Sequence, residues 1–274
     1  MTAPAARNVP ALLQRLREQE FSGTVRVSGH PGGTIHLRDG LVGAVETPGA
    51  PTVTSTLLAS GRIGDDDWLA ACAAEPDADR LGGRLVATGL IGAAELDVVC
   101  AAAAFDGAFA MALSPPGERE LGEREPALVA GRGVEPRLLS QETARRMAVL
   151  SRSWGPPGEL TRVRPVPVAA AGPRLLPRQQ DVLDSANGRR TARDIAFALG
   201  RGLYAVMLDL VRLEALGLVR CEARATPGTR PSTAPRVLPA NAPAASPAST
   251  ALPRRRPGGG PPGRDPGDRT GRGG

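Results

Sequence analysis

The sequence predicts an α+β fold: a small antiparallel meander with helical hairpins, then a second module of short helices, and a disordered tail. Three observations predict it. Apolar and polar residues alternate between Phe21 and Glu46, a helical pattern repeats between Leu57 and Ala102, and Gly and Pro separate short amphipathic segments after Pro177. The 274 residues are enough to bury a sizeable core.

The N-terminal segment predicts one helix followed by three strands. Leu12, Leu13 and Leu16 share one face of a helix within residues 9–20. Asp39-Gly40 favours a tight hairpin turn, because both residue types tolerate positive φ angles. The alternating residues around that turn predict strands over residues 21–27, 34–37 and 41–46. Together these strands form the predicted meander.

An internal repeat follows the meander. Residues 57–74 align with residues 85–102, and each copy predicts a helix, a glycine stop, a buried Ile and a second helix. The identical pairs are Leu57/Leu85, Ala59/Ala87, Gly61/Gly89, Ile63/Ile91, Gly64/Gly92, Cys72/Cys100, Ala73/Ala101 and Ala74/Ala102. We expect the two copies to pack together as helical hairpins, since a solenoid usually needs about three copies or more.

Two features inside the repeat admit a functional and a structural interpretation. Cys72 and Cys100 occupy equivalent helix positions, which favours a small buried side chain over a reactive thiol. Asp65–Asp67 favours the start of a helix, where the helix dipole attracts acidic side chains, over a metal site. After the repeat, residues 105–109 predict a turn and an apolar strand that ends near Leu113.

Residues 8–114 resemble the PATAN-type domain, a small N-terminal domain of bacterial PatA-like regulators. The matching elements are Ser22-Gly23, the stretch Ile35–Ala44 with its Asp39-Gly40 turn, and Phe105–Phe109. Residues 81–99 are also similar to the N-terminal helical module of type II secretion ATPases. The resemblance implies an interaction or signal-input module, and it brings no catalytic residues with it.

Residues 115–172 predict a connecting region. Residues 114–132 are rich in Pro, Gly and Glu and predict a loop. Residues 135–151 predict a helix, and five prolines between Trp154 and Pro173 predict a linker.

Residues 173–225 predict three short helices and a strand. Pro177 suits the first turn of a helix, Thr191 and Asp194 form a capping-box pattern, and Gly217 ends a third helix over residues 203–216. This segment resembles the winged helix-turn-helix domains of bacterial transcription regulators. In that family the third helix usually enters the major groove of DNA.

The third helix leaves two functions open. Its apolar residues extend around more than one face, which favours a protein contact or dimerisation. The residues of this candidate partner surface are Tyr204, Met207, Leu208 and Val211. The alternative is DNA binding, for which the candidate phosphate contacts are Arg189, Arg190, Arg193, Arg201 and Arg220.

The positive charge of the chain is confined to its tail. All of the net charge of +6 arises after residue 224, so the pI gives no indication of a basic folded surface. Residues 226–274 are rich in Pro, Gly and Arg and contain no aromatic residue, which predicts disorder. Arg254–Arg256 suits either a solvating end or a contact with nucleic acid or an acidic partner.

The sequence argues against an enzyme, a cofactor and a metal site. The only histidines, His30 and His36, lie far along the chain from all three cysteines, and a zinc site needs about four clustered ligands. We expect His36 to be a half-exposed strand residue rather than a catalytic one. We also expect a cytoplasmic protein, since the first 20 residues do not have the pattern of a secretion signal and no apolar run reaches the length of a membrane span.

These observations predict a non-enzymatic bacterial regulatory or adaptor protein. Its PATAN-like module would be coupled to a winged-helix module that binds a protein partner or a second copy of the chain. No small-molecule substrate is evident from the sequence. The alternative prediction is a sequence-specific DNA-binding transcriptional regulator that uses the winged helix.

Overall fold

The computed structural model describes residues 8–129, 131–160, 162–168 and 174–221. The chain divides into two compact units, residues 1–228 and 229–274, and all described residues belong to the first. The predicted disordered tail at residues 226–274 therefore lies outside the described part. Among the described helices, none is both long enough and apolar enough to cross a membrane.

Helices and short strands alternate along the described chain. The helices are α1 (Val9–Glu18), α2 (Val53–Ala59), α3 (Asp65–Ala74), α4 (Ala78–Ala87), α5 (Ala93–Ala112), α6 (Pro136–Trp154), α7 (Pro157–Leu160), α8 (Pro177–Ser185), α9 (Ala192–Leu199) and α10 (Leu203–Ala215). The strands are β1 (Gly23–Val27), β2 (Gly33–Arg38), β3 (Leu41–Glu46), β4 (Arg119–Gly122), β5 (Val166–Pro167) and β6 (Val219–Arg220).

The predicted meander forms most of a four-stranded antiparallel sheet. The strand order is β3-β2-β1-β4, and Val25 of β1 pairs with Ile35 of β2 and with Leu121 of β4. The prediction of a loop over residues 114–132 is therefore wrong at β4. The four residues of β4 carry no alternating apolar pattern, and their strand conformation depends on pairing with the distant edge of β1.

One face of the sheet forms a core with helices α1, α5 and α6. Val25, Ile35 and Leu37 from the strands pack with Leu16 of α1 and Leu139 of α6. On the opposite face, the Thr24 hydroxyl donates to the carbonyl of Glu123 at 3.1 Å, and Arg26 pairs with Glu125. Asp79 of α4 binds the same segment. The Asp79 carboxylate is paired with both Arg38 and Arg124, and its Oδ1 accepts a hydrogen bond from the N–H of Ala127 at 3.1 Å.

The repeat has the predicted element order in both copies. Gly61 and Gly89 follow α2 and α4 with φ angles of +67° and +73°, the left-handed conformation that ends a helix. Ile63 and Ile91 are buried after these glycines. Cys100 is buried and Cys72 is half-buried.

The predicted turn and strand at residues 105–113 are wrong, because α5 continues through them to Ala112. Gly107 does not interrupt this alanine-rich helix. A Cβ atom at Gly107 would lie 2.8 Å from the carbonyl oxygen of Val45. The glycine therefore allows α5 to pack closely against β3, where a larger residue would separate them.

The C-terminal part contains α8, α9 and α10 with a two-stranded sheet. Thr191 and Asp194 form the predicted capping box, and Gly200 adopts a left-handed conformation between α9 and α10. The region expected to be only a linker contains α7 and β5, and Pro167 of β5 pairs with Val219 of β6. Pro167 is tolerated there because β5 is an edge strand of two residues.

One hydrophobic core joins helices α5 and α6 to the C-terminal part of the described chain. Phe109 and Leu113 of the α5 region and Leu150 of α6 belong to the same buried cluster as Val206 and Leu210 of α10. This cluster joins α5 and α6 to the C-terminal helices, and α10 lies at the place where they meet.

Candidate functional site

The first turn of α10 is capped by a carboxylate from a different helix. Gly202 precedes α10 and has no side chain with which to cap it, so the first N–H groups need an acceptor from elsewhere. Asp106 of α5 provides it, since its carboxylate accepts hydrogen bonds from the N–H groups of Leu203 and Tyr204, the latter at 2.9 Å. A negative charge at a helix N-terminus is also favoured by the helix dipole.

Asp106 is deeply buried at this junction. Its exposed fraction is 4%, and burial raises the pKa of its carboxyl, although the two N–H donors and Arg146 act in the opposite direction. A Cβ atom at Gly202 would lie 3.3 Å from the Asp106 carboxylate. Glycine at position 202 therefore leaves the space into which the carboxylate fits.

Arg146 of α6 joins the junction from the third side. Its Nη1 lies 3.6 Å from Asp106 Oδ1, and its Nε lies 2.9 Å from Glu142 Oε1. The guanidinium carbon also lies 4.9 Å from the centre of the Tyr204 ring and 5.6 Å from that of Phe105. These contacts fix one cation between α5, α6 and α10 by charge and by ring stacking.

Phe109 and Glu142 complete this arrangement. We call it the junction cluster, and its residues are Phe105, Asp106, Phe109, Glu142, Arg146, Leu203 and Tyr204. Phe109 meets Tyr204 edge to face, with ring centres 5.4 Å apart. Arg145 and Arg146 lower the pKa of Glu142 to about 2. The junction cluster contains one buried acid, one half-buried acid and one cation, and it lies where α5, α6 and α10 meet.

The predicted partner surface on α10 faces largely inward. Met207 is fully buried, and Tyr204, Leu208 and Val211 are half-buried and pack against the shared core. Met207 is therefore not accessible to a partner in this arrangement. The apolar residues extend around α10 because one side of the helix packs on α8 and α9 and another on α5 and α6.

The predicted phosphate contacts fall into two groups. Arg189, Arg190, Arg193 and Arg220 are exposed. Arg201 is instead committed to the fold, because its Nη2 lies 2.6 Å from the carboxylate of the buried Asp209 and its Nη1 donates to the carbonyl of Arg178 at 2.7 Å. Arg201 would have to leave a buried acid in order to bind a phosphate.

Asp209 is a buried charged residue that the sequence does not predict. It is only 2% exposed, and Arg201, Arg212 and Arg178 surround it at 2.6, 3.2 and 3.8 Å. The residue lies inside an apolar helix, where a single Asp normally indicates an exposed position. That contrast is the signal that could have revealed it.

His36 differs from its prediction, because it is buried with an exposed fraction of 6%. Its Nε2 lies 3.6 Å from Glu46 Oε2, and this contact lowers the pKa of Glu46. Glu46 and Cys100 both line a small cavity of about 120 Å³, but His36 does not belong to the described lining.

Metal ligands do not converge in the described part of the chain. Within those ranges, no group of three or more His, Cys, Asp or Glu residues is arranged to hold a metal ion. Burial raises the pKa of Cys221 to about 12, which keeps that thiol protonated at neutral pH.

Comparison with known proteins gives no match for this chain. No protein-family model matches it, and no curated protein or solved structure matches it.

Proposed function

We propose that this chain is a non-enzymatic regulatory or adaptor protein, in which a PATAN-like interaction module holds a winged-helix module that contacts a protein partner. The packing of α10 carries the proposal. In winged-helix regulators the third helix enters the DNA major groove. Here α10 packs on α8 and α9 and also on α5 and α6.

The exposed part of α10 is poorly suited to reading bases. Base edges are recognised mainly by Arg, Lys, Asn and Gln. The exposed residues of this fully described helix are Ala205, Arg212 and Ala215, and Arg212 already pairs with Asp209 at 3.2 Å. Because α10 lies between the two modules, its position favours contact with a protein partner over direct recognition of bases.

The helical repeat supplies a surface that suits a protein partner. Helix α3 buries only Ala71, and Leu69 on its outer side is 64% exposed. Ala70, Ala73 and Ala74 are exposed beside it. The outer side of α3 is therefore apolar, and a protein partner could cover it.

Photo-crosslinking tests the adaptor function. A benzophenone amino acid at position 69 should give a discrete crosslinked band in cells that express the chain. The matched control carries the same amino acid at Gln141, an exposed residue of α6, and should not give that band. Equal crosslinking from both positions, or none from position 69, contradicts a partner on α3.

A DNA-binding regulator is the second candidate, and a specific observation favours it. Arg189, Arg190 and Arg193 are all exposed within five positions at the start of α9. Such a cluster can contact phosphates without any contribution from α10.

Fluorescence anisotropy with DNA duplexes separates the two candidates. The full chain and a chain that ends at residue 228, the boundary of the first compact unit, should be titrated at several salt concentrations. The adaptor function predicts that the shorter chain binds all sequences equally weakly. Binding by the shorter chain that prefers one sequence about tenfold or more, and that is lost when Arg189, Arg190 and Arg193 become Ala, supports the DNA-binding candidate instead.

A further inference from the structure

An apolar cavity of about 390 Å³ lies between the sheet and three helices. Val27 and Ile35 of the sheet form its floor, Leu13 of α1 and Met111 of α5 line two sides, and Met147 of α6 lines the third. The cavity opens to the surface, because the exposed residues Asn8, Pro10 and Pro116 also line it. Its volume lies within the range of about 300–1,000 Å³ that is typical of small-molecule sites.

The cavity exists because small side chains face one another where larger ones would fill the space. Ala108 and Ala112 of α5 and Ser140 and Ala144 of α6 all contribute to its lining. Because two different helices place small residues here, the space does not depend on a single side-chain conformation. The two methionines add flexible, polarisable walls that adapt to an apolar guest.

The polar groups of the cavity favour an uncharged ligand, and they belong to Asn8, Ser114, Ser140 and Thr143. None of the described lining residues carries a charge. The hydroxyls of Ser140 and Thr143 each donate to a backbone carbonyl of their own helix at 2.8 Å, so they offer only acceptor capacity to a ligand. A buried carboxylate or ammonium would therefore remain without an opposite charge, at a high desolvation cost.

We infer that this cavity binds a small, uncharged, mostly apolar molecule that has at most one hydroxyl or amide end. The inference goes beyond the proposed function and does not rest on it. A partner on α3 and a ligand in the cavity involve different residues, so either result stands without the other.

A titration with N-phenyl-1-naphthylamine, an uncharged apolar dye, tests the inference on the full chain. Its fluorescence should rise to saturation with one site per chain. Ala108→Leu and Ser140→Leu fill the cavity from opposite walls, and each should weaken dye binding about tenfold or more. Ala102→Leu is the matched control, because Ala102 is exposed on the same helix as Ala108 and does not line the cavity.

Methionine methyl NMR locates the dye without any substitution. The chain has four methionines, of which Met111 and Met147 line the cavity and Met207 lies in the shared core. The dye should shift the signals of Met111 and Met147 more than that of Met207. This measurement decides the question even if both Leu variants fail to fold, which circular dichroism will report.

A matched pair of competitors tests the charge requirement. Decanol and decanoate share a hydrocarbon chain and differ in the charge of the end group, and decanol should displace the dye more effectively. The inference is overturned by an absence of saturable binding, by unweakened binding to the folded Leu variants, or by unmoved Met111 and Met147 signals. Displacement by decanoate that equals or exceeds displacement by decanol overturns the assignment to uncharged ligands.

Discussion

The Asp106 carboxylate lies in one helix and caps another, so its removal affects both. Asp106→Ala leaves the N–H groups of Leu203 and Tyr204 without their acceptor inside the protein. We expect the free energy of unfolding to fall by about 2 kcal/mol, the sum of a lost cap and unsatisfied buried donors. Urea denaturation followed by circular dichroism measures this change.

Asp97→Ala is the control for that substitution. Asp97 belongs to the same helix and is exposed, so its removal should change stability by less than about 0.5 kcal/mol. Equal losses in the two variants would show that the Asp106 contacts add nothing to the general effect of losing an acid from α5.

Glu142 makes stability depend on pH in a defined direction. Its pKa falls from 4.5 to about 2 in the folded protein, so the stabilisation is complete above pH 4.5 and is lost as the pH falls towards 2. Glu142→Gln should therefore be less stable than the original chain by about 1 kcal/mol at pH 6, a value reduced for solvent screening. The two chains should converge near pH 2.

Urea titrations at pH 6, 4 and 2 measure that convergence, and Glu159→Gln serves as the control because Glu159 is an exposed residue of α7. A constant difference between the Glu142 variant and the original chain across this range contradicts the ion pair.

Asp106 acts with the opposite sign, because burial raises its pKa above the ordinary value of 3.8. The stabilisation that arises from this raised pKa is complete below pH 3.8 and is lost as the pH rises through the raised pKa.

Residues close in sequence could be predicted, and residues far apart could not. Thr191 and Asp194 lie three positions apart, and the capping box follows from local geometry alone. Asp106 and Leu203 lie 97 positions apart, and no periodicity in the sequence indicates their contact. His36 was wrongly predicted as half-exposed for the same reason, since alternation along a strand does not indicate what packs over that face of the sheet.

At the level of elements, the start of α10 depends on the space around Gly202. An added Cβ would lie 3.3 Å from the Asp106 carboxylate, so Gly202→Ala should displace the cap and cost about 1–2 kcal/mol. Denaturation of the variant beside the original chain measures the loss.

Gly92→Ala provides a matched comparison for this prediction. Gly92 also precedes a helix, has a negative φ angle of −73°, and would meet nothing within 4 Å of an added Cβ. This change should be neutral or stabilise the protein by up to about 1 kcal/mol, because it restricts the unfolded chain. A similar cost at both glycines would mean that backbone propensity alone, and not Asp106, determines the effect.

The elements that the sequence predicted are those with a strong local signal. The meander strands alternate clearly, and Gly61 and Gly89 mark helix ends in both copies of the repeat. The elements that were missed depend on tertiary contacts: β4 forms by pairing with β1, and α5 extends through Gly107 because that residue packs against β3. In each case a distant partner overrides the local preference.

At the level of the whole molecule, shared packing predicts cooperative unfolding. The chain has two tryptophans, and they report on different regions: Trp68 packs with the helical repeat and Trp154 with the shared core around α10. Trp68→Phe and Trp154→Phe leave one reporter each. Their fluorescence transitions in urea should coincide with each other and with circular dichroism.

Separate transitions in the two single-tryptophan chains contradict a single cooperative unit. In that case the Asp106 cap would be a weak contact between independently stable parts. The comparison needs equal stability of the two variants, which circular dichroism checks directly.

The Asp106 cap on α10 makes the sequence of α5 a constraint on both helices. An α-helix turns by about 100° per residue, so a single insertion in α5 before position 106 would swing the acid away from α10. Neither helix can then be exchanged for a homologous segment unless the replacement presents an acid, or accepts one, at the same angular position. Recombination between such proteins should accordingly preserve residues 93–204 as an inherited block.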